Sequence, residues 1–325
     1  MSSLILNSVI SLGAMGLLFG SGLAYASKKF AVEVDPRVEK INEVLPGANC
    51  GGCGYPGCSG LAVAIVNGDA PITACPVGGS DLADKIGDIM GIRAQVGERK
   101  IAKVICKGTC NNTKDKAQYE GIKDCRAATM ILAGPKSCQY GCLGFGTCVN
   151  VCQFGAITIQ DSIAVIHKDK CVSCGKCIEV CPKAVIRWAP YDQDVIVECN
   201  SKEFGKDVKS KCSVGCIGCK LCVKSCPFEA ITFENNLAQI DYSKCTQCMI
   251  CVEKCPTNAI SGDINKRKKA TIDDQKCIGC TICKKKCPVD AIEGELKSKH
   301  KVNEQKCVGC LECVKKCPKQ AINFE

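Results

Sequence analysis

Cysteine is the residue with chemistry to offer in this chain, making up 33 of its 325 residues, and its spacing is that of metal ligands. Five runs have the form CxxCxxCxxxCP: Cys171-Cys174-Cys177-Cys181, Cys216-Cys219-Cys222-Cys226, Cys245-Cys248-Cys251-Cys255, Cys277-Cys280-Cys283-Cys287 and Cys307-Cys310-Cys313-Cys317. Thiolates with two residues between them can wrap one iron–sulfur cube, and the proline ends each run before the chain turns away. Isolated CxxC pairs would suit zinc, but they leave the third and fourth cysteines unexplained. Only two histidines, His167 and His300, are present. Haem ligation by histidine, imidazole-held catalytic zinc and a Ser-His-Asp triad are therefore poorly supplied.

The spacing is the signature of bacterial ferredoxins, in which the fourth cysteine of a run ligates the other cluster of a pair. A sixth, distorted run comes first: Cys138-x3-Cys142-x5-Cys148-x3-Cys152, with Gln153 where the others have proline. Its Gly141, Gly144 and Gly146 do not form a dinucleotide loop. The runs fall into three pairs, with 18, 18 and 19 residues inside them, and strand-like stretches such as ITIQDSIAVIHKD fill the gaps. Crossed ligation assigns six [4Fe–4S] clusters. In the first pair they take Cys138, Cys142, Cys148, Cys181 and Cys171, Cys174, Cys177, Cys152. In the second they take Cys216, Cys219, Cys222, Cys255 and Cys245, Cys248, Cys251, Cys226. In the third they take Cys277, Cys280, Cys283, Cys317 and Cys307, Cys310, Cys313, Cys287. Electrons can hop along such a row.

One set is of another kind. Cys50-x2-Cys53-x4-Cys58-x16-Cys75 has no terminal proline and no mate, so its four thiolates should close on a single [4Fe–4S] cluster. Gly51, Gly52, Gly54 and Gly57 let the backbone fold tightly there, and 59–70 reads as a helix that carries Cys75 back. On spacing alone a structural zinc remains open.

Cys106, Cys110, Cys125, Cys199 and Cys212 stand outside these sets. KVIC with a later Cys125, and VIVEC with a later Cys212, each read strand, cysteine, polar loop, cysteine. Cys106, Cys125, Cys199 and Cys212 thus offer donors for a further cluster, with Cys110 left over; the plainer reading is buried or loop thiols. Seven clusters are expected, and eight if this set closes.

The elements that must position these sites are small. Aromatic residues make up 5% of the chain, too little for one large core, so several modules built round inorganic centres are expected. The formal charge of +10 becomes about −4 once seven clusters of roughly −2 each are counted, which removes the case for a nucleic-acid partner. Residues 2–27 carry no charge, and Leu4–Ala26 is long enough to span a bilayer. Lys28 and Lys29 follow it, which places the bulk of the chain on the cytoplasmic side of the cell membrane as a single-pass protein. Ala24-Tyr25-Ala26 resembles a signal-peptidase site, but a signal peptide needs a positive start that is missing. Gly16-x3-Gly20 suits close packing on a partner helix, and glycine is also common in such spans.

An apolar N-terminal segment, NCGGCGYPGC with ACPVGG, and YGCLGFGTC opening a ferredoxin pair together resemble the B subunit of the Rnf complex over residues 1 to about 190. The two further modules resemble the longer versions from anaerobic bacteria. The resemblance implies an electron-transfer subunit of a membrane translocase that oxidises reduced ferredoxin, reduces NAD⁺ and pumps Na⁺ or H⁺. It implies soluble ferredoxin as donor, other Rnf-type membrane and peripheral subunits as partners, and the lone four-cysteine site as the exit toward the membrane. The alternative is a membrane-tethered polyferredoxin feeding a hydrogenase or nitrogenase. No Rossmann fingerprint, P-loop or flavin-attachment motif is evident, so NAD⁺ and flavin fall to partners and no bond chemistry to this chain. The expected fold is α+β: a transmembrane helix (1–29), a small 4Fe-4S domain (30–100), then three tandem two-cluster ferredoxin-like modules (101–209, 210–262, 263–325). Residues 262–325 hold 15 Lys and Arg against 9 Asp and Glu. The surplus lies at Lys266, Arg267, Lys268 and Lys269, at Lys284, Lys285 and Lys286, and at Lys297, Lys299 and Lys301. Such a basic end would steer an acidic ferredoxin; a solvated face that balances cluster charge is the plain alternative.

Overall fold

The computed structural model describes residues 2–29, 35–94 and 97–324. Helix α1 (Ser2–Lys29) contains Val9–Lys29, among the described residues the one helical stretch long and apolar enough to cross a membrane. At 1.5 Å per residue its 21 residues reach about 31 Å, the thickness of a hydrocarbon core. Leu17, Leu18 and Leu23 stand exposed on it, a surface that water disfavours and lipid does not.

The chain forms two compact units, residues 1–74 with 80–94, and residues 75–79 with 95–325. In the first, α2 (Pro36–Val44) starts where Asp35 caps the Arg37 N–H and Pro36 fills the first helical position. Helix α3 (Gly57–Asn67) ends at Gly68 in the left-handed conformation, and α4 (Gly79–Met90) follows. Their buried faces carry Ile41, Leu61, Ile65 and Ile86.

The second unit repeats one small arrangement of strands. First come β1 (Lys100–Val104), β2 (Ile157–Gln160), β3 (Ile163–Ile166) and β4 (Ile186–Pro190). Strands β2 and β3 form a hairpin turned by Asp161 and Ser162, both at positive φ as a two-residue type I′ turn requires. Strand β4 runs back to pair with β1, Ala189 opposite Ile101. Next come β5 (Ile196–Val197), β6 (Ile231–Glu234), β7 (Leu237–Ile240) and β8 (Ile260–Ser261). Here β6 and β7 make the hairpin, turned by Asn235-Asn236, and β8 pairs with β5. Last are β9 (Ala270–Ile272), β10 (Ile292–Glu293), β11 (Lys301–Val302) and β12 (Ile322–Phe324), with β10 on β11 and β12 on β9. Each time a hairpin lies between two cysteine runs, and the strand after the second run returns to the strand before the first. Ile196 and Val197, which a module boundary at 210 would assign to the preceding module, pair with Ser261 and Ile260.

A small aliphatic residue followed by isoleucine anchors each returning segment. Four residues after the last cysteine of every run stand Ala156-Ile157, Val185-Ile186, Ala230-Ile231, Ala259-Ile260, Ala291-Ile292 and Ala321-Ile322, none more than 5% exposed. A buried isoleucine contributes about 1.5–3 kcal/mol. The apolar cores round them are small and include the cysteines themselves.

Candidate metal centres

Each of the five regular runs bends through three left-handed residues. One precedes the second cysteine: Ser173, Gly218, Gln247, Gly279 or Gly309. One precedes the third by two residues: Gly175, Lys220, Met249, Thr281 or Leu311. One follows the fourth by three: Ala184, Glu229, Asn258, Asp290 or Gln320. Only some are glycine, so the chain accepts about 1–2 kcal/mol at each of the others to curl its sulfurs inward. Gly309 has a second constraint, because a Cβ there would lie 2.1 Å from the Lys268 carbonyl oxygen. The last turn also aims a backbone N–H at sulfur. Ala156 N donates to Cys152 Sγ at 3.3 Å, Ala259 N to Cys255 at 3.3 Å, Ala291 N to Cys287 at 3.2 Å and Ala321 N to Cys317 at 3.3 Å.

Three cavities gather cysteines from two runs each. Cys171, Cys174, Cys177 and Cys152 line one of ≈ 360 Å³. Cys245, Cys248, Cys251 and Cys226 line one of ≈ 340 Å³, and Cys307, Cys310, Cys313 and Cys287 one of ≈ 320 Å³. In the second pair Cys222 also neighbours Cys216, Cys219 and Cys255, and in the third Cys283 neighbours Cys280 and Cys277. Burial pushes the Cys177, Cys251 and Cys313 thiols up to about 12, and the adjacent sulfurs push the same way. Four thiolates so placed repel one another unless a cationic core stands between them. Among the described residues no three Cys, His, Asp or Glu side chains are gathered as a single metal ion needs, at these runs or elsewhere. The all-sulfur donor sets fit a larger iron–sulfur core.

The distorted first run is arranged differently. Cys148 is pushed up to about 12 by burial and then by Cys142, Cys125 and Cys181. Cys125 begins helix α5 (Cys125–Met130), capped by Asp124, and its N–H donates to Thr147 Oγ1 at 2.7 Å beside Cys148. Cys138 instead neighbours Cys106 and Cys212. With Cys199 these three line a further cavity of ≈ 390 Å³. Cys110 is exposed.

In the first unit Cys50 and Cys53 lie on the loop that enters α3, and Cys58 lies in the first turn of that helix. Asn49, at φ 45°, accepts the Cys58 N–H on its side-chain oxygen at 2.8 Å and donates from Nδ2 to the Gly47 carbonyl at 3.2 Å. A Cβ at Gly57 would lie 2.8 Å from that same oxygen, so glycine there leaves room for the clasp. Cys75 lies on the 75–79 segment, which groups with the second unit.

Comparison with known proteins follows the same division. An Fe-S cluster family profile matches residues 45–77, and profiles of 4Fe-4S dicluster domains match 137–185, 215–259, 244–291 and 270–324. The chain is 50% identical to the B subunit of the Na(+)-translocating ferredoxin:NAD(+) oxidoreductase complex of Acetobacterium woodii, over 82% of this chain and 81% of that one. It is 44% identical to the B subunit of the ion-translocating oxidoreductase complex of Methanosarcina acetivorans, over 76% and 94%. A proton-translocating counterpart from Clostridium ljungdahlii is 44% identical over 71% and 82%. The chain belongs to this family of B subunits.

Two of the dicluster matches overlap on the run from Cys245 to Cys255. Strand pairing distinguishes the registers: β8 pairs with β5 and β9 with β12, so residues 256–276 join two successive strand sets of the second unit and form no hairpin. Two residues have surroundings that spacing could not reveal. Arg267, read from sequence as part of an exposed basic cluster, has a side chain only 11% exposed and pairs with Glu253 at 3.1 Å. Its Nε and Nη2 are buried without a hydrogen-bond partner, and its charge favours the Cys248 thiolate. His300, 1% exposed, has Nδ1 4.0 Å from Cys277 Sγ.

Proposed function

We propose that this chain is the electron-transfer subunit of a membrane-bound, ion-translocating ferredoxin:NAD⁺ oxidoreductase. What carries the reading is the repeated cysteine run on one ββ scaffold, in a member of the B-subunit family with one apolar helix. When bound, [4Fe–4S] cores supply one-electron carriers. The chain's own work is to hold them in fixed order, shield them from water with the Ala-Ile segments, and direct N–H groups at sulfur, which together set their potentials.

We assign the sites outward from the membrane. Residues up to 29 form the span, with the remainder on the cytoplasmic side because Lys28 and Lys29 follow the apolar stretch. Cys50, Cys53, Cys58 and Cys75 hold the lone cluster near the membrane partners. Three ferredoxin-like modules follow, the second beginning near Ile196, where its outer strand pair starts. The crossed cysteine sets of the second and third modules hold four clusters, and Cys152, Cys171, Cys174 and Cys177 hold another. Cys142, Cys148 and Cys181 hold the remaining cluster of the first module with one more thiolate. A soluble ferredoxin delivers electrons at the C-terminal module, and NAD⁺ binds on a partner subunit. The relatives named for Na⁺ and for protons stand at 50% and 44% identity, so the coupling ion is not assigned.

Deleting this chain from a cell that carries the complex should abolish ferredoxin-dependent NAD⁺ reduction by its membranes, and the full chain should restore it. Unchanged NAD⁺ reduction with loss of a hydrogenase or nitrogenase activity would overturn the assignment in favour of a tethered polyferredoxin. For sidedness, an impermeant thiol reagent should reach the chain only after the cells are broken.

A further inference from the structure

Cys106, Cys138, Cys199 and Cys212 converge on one cavity although they come from four separate stretches of chain. Cys106 follows β1 and Cys138 opens the distorted run. Cys199 follows β5, and Cys212 ends the helix Gly205–Lys211. The cavity matches those lined by the crossed ferredoxin sets in donor type, each having four cysteines in its lining. Its sulfurs already receive hydrogen bonds. Cys142 N donates to Cys106 Sγ at 3.3 Å, and Thr113 Oγ1 to Cys212 Sγ at 3.6 Å.

A buried cation faces the same space. Lys136, 4% exposed, lines the cavity and donates from Nζ to the Gly108 and Ser162 carbonyls, each at 2.8 Å. No carboxylate pairs with it among the described residues. Glu198, which also borders the cavity, pairs with Lys107 at 3.5 Å. A buried ammonium held only by two carbonyls calls for an anion nearby, and an oxidised four-thiolate [4Fe–4S] centre carries roughly −2.

We propose that Cys106, Cys138, Cys199 and Cys212 hold an eighth [4Fe–4S] cluster between the first and second modules, and that Cys125 replaces Cys138 in the first module's cluster with Cys142, Cys148 and Cys181. The site lies where a link is needed. Cys106 accepts from Cys142, a ligand of the first module, and Cys199 neighbours Cys216, a ligand of the second. Its place in the path of electrons rests on the function proposed above, whereas the ligand assignment does not.

The test is iron and acid-labile sulfide per chain on the full-length protein, reconstituted without oxygen. Wild type should hold about 32 Fe, and the triple variant Cys106→Ala/Cys199→Ala/Cys212→Ala about 28. Adding Cys125→Ala to the triple variant should lower it to about 24, while adding Cys138→Ala should leave about 28. The reverse pattern, loss with Cys138→Ala and none with Cys125→Ala, would overturn the exchange of ligands. Wild type at about 28 Fe, with or without one bound zinc, would overturn the cluster. These counts need no ferredoxin or NAD⁺, so they stand even if the functional reading fails.

Discussion

Gly309 and Gly155 offer a controlled comparison of what holds a cysteine run in shape. Both have left-handed backbones, with φ 64° and 58°. Alanine at either should cost about 1–2 kcal/mol for the conformation alone. At Gly155 the new Cβ meets nothing within 4 Å, and the equivalent residue of the next run is already Ala184, at φ 49°. At Gly309 the Cβ would sit 2.1 Å from the Lys268 carbonyl oxygen, 3.2 Å from its carbon and 3.4 Å from Arg267 Cγ. The 267–268 backbone must move, which adds about 1–3 kcal/mol in a packed site. Local opening round Cys310 should therefore be about 5- to 150-fold more frequent in Gly309→Ala than in Gly155→Ala. The assay is the rate of visible bleaching when an iron chelator is added without oxygen to each reconstituted full-length variant. In Gly309→Ala a fast phase should account for the cluster proposed at Cys287, Cys307, Cys310 and Cys313, while Gly155→Ala stays close to wild type. Equal bleaching in the two variants would refute the argument that the close approach to Lys268, rather than φ, constrains the run.

Three further outcomes are expected. Cys58→Ala should remove about 4 Fe and stop ferredoxin-dependent NAD⁺ reduction while the other centres still accept electrons; surviving NAD⁺ reduction would rule out the exit role. Because Arg267 is buried and paired, charge reversal should be limited to Lys266→Glu, Lys268→Glu and Lys269→Glu, which should slow reduction by ferredoxin and flatten its salt dependence with iron content unchanged; an unchanged rate at low ionic strength would remove the docking proposal. His300→Leu removes the polar group beside Cys277, and the potential of that centre should fall in a redox titration followed by electron paramagnetic resonance; an unmoved potential would show that the 4.0 Å contact has no electronic weight.

The regular runs were legible because their chemistry is local. Two intervening residues place thiolates round one centre, and the stretches ITIQ–IAVI and ITFE–LAQI alternate as hairpins do, which β2–β3 and β6–β7 bear out. The distorted run was not legible in the same way. Its x3 and x5 spacings depart from the rule, and Cys125, the neighbour of Cys148, comes from a helix 13 residues upstream of Cys138. Spacing assigns neighbours along the chain, whereas Thr147 and Asp124 bring Cys125 in from outside the run. The weak signal available was the similarity of KVIC and VIVEC, which grouped Cys106, Cys199 and Cys212, three of the four cysteines that line this cavity, with Cys125, which does not line it. Arg267 misled for another reason. Four basic residues in a row suggest a solvated face, and only the packing of the 267–268 backbone against Gly309 puts one of them inside.

The left-handed residues have a consequence for the life of the protein in a cell. Lys220, Met249, Thr281 and Leu311 hold backbone angles that side chains of their kind rarely adopt, each at the start of a four- or five-residue helix with little apolar support. A chain just released from the ribosome has no reason to keep those angles before iron and sulfide arrive. Until then its lysine-rich chain is open to proteases, and its cysteines are open to oxidation. The amount of this protein should therefore follow the supply of assembled clusters more closely than the rate of its synthesis, and scarcity of iron should thin the wire by degradation.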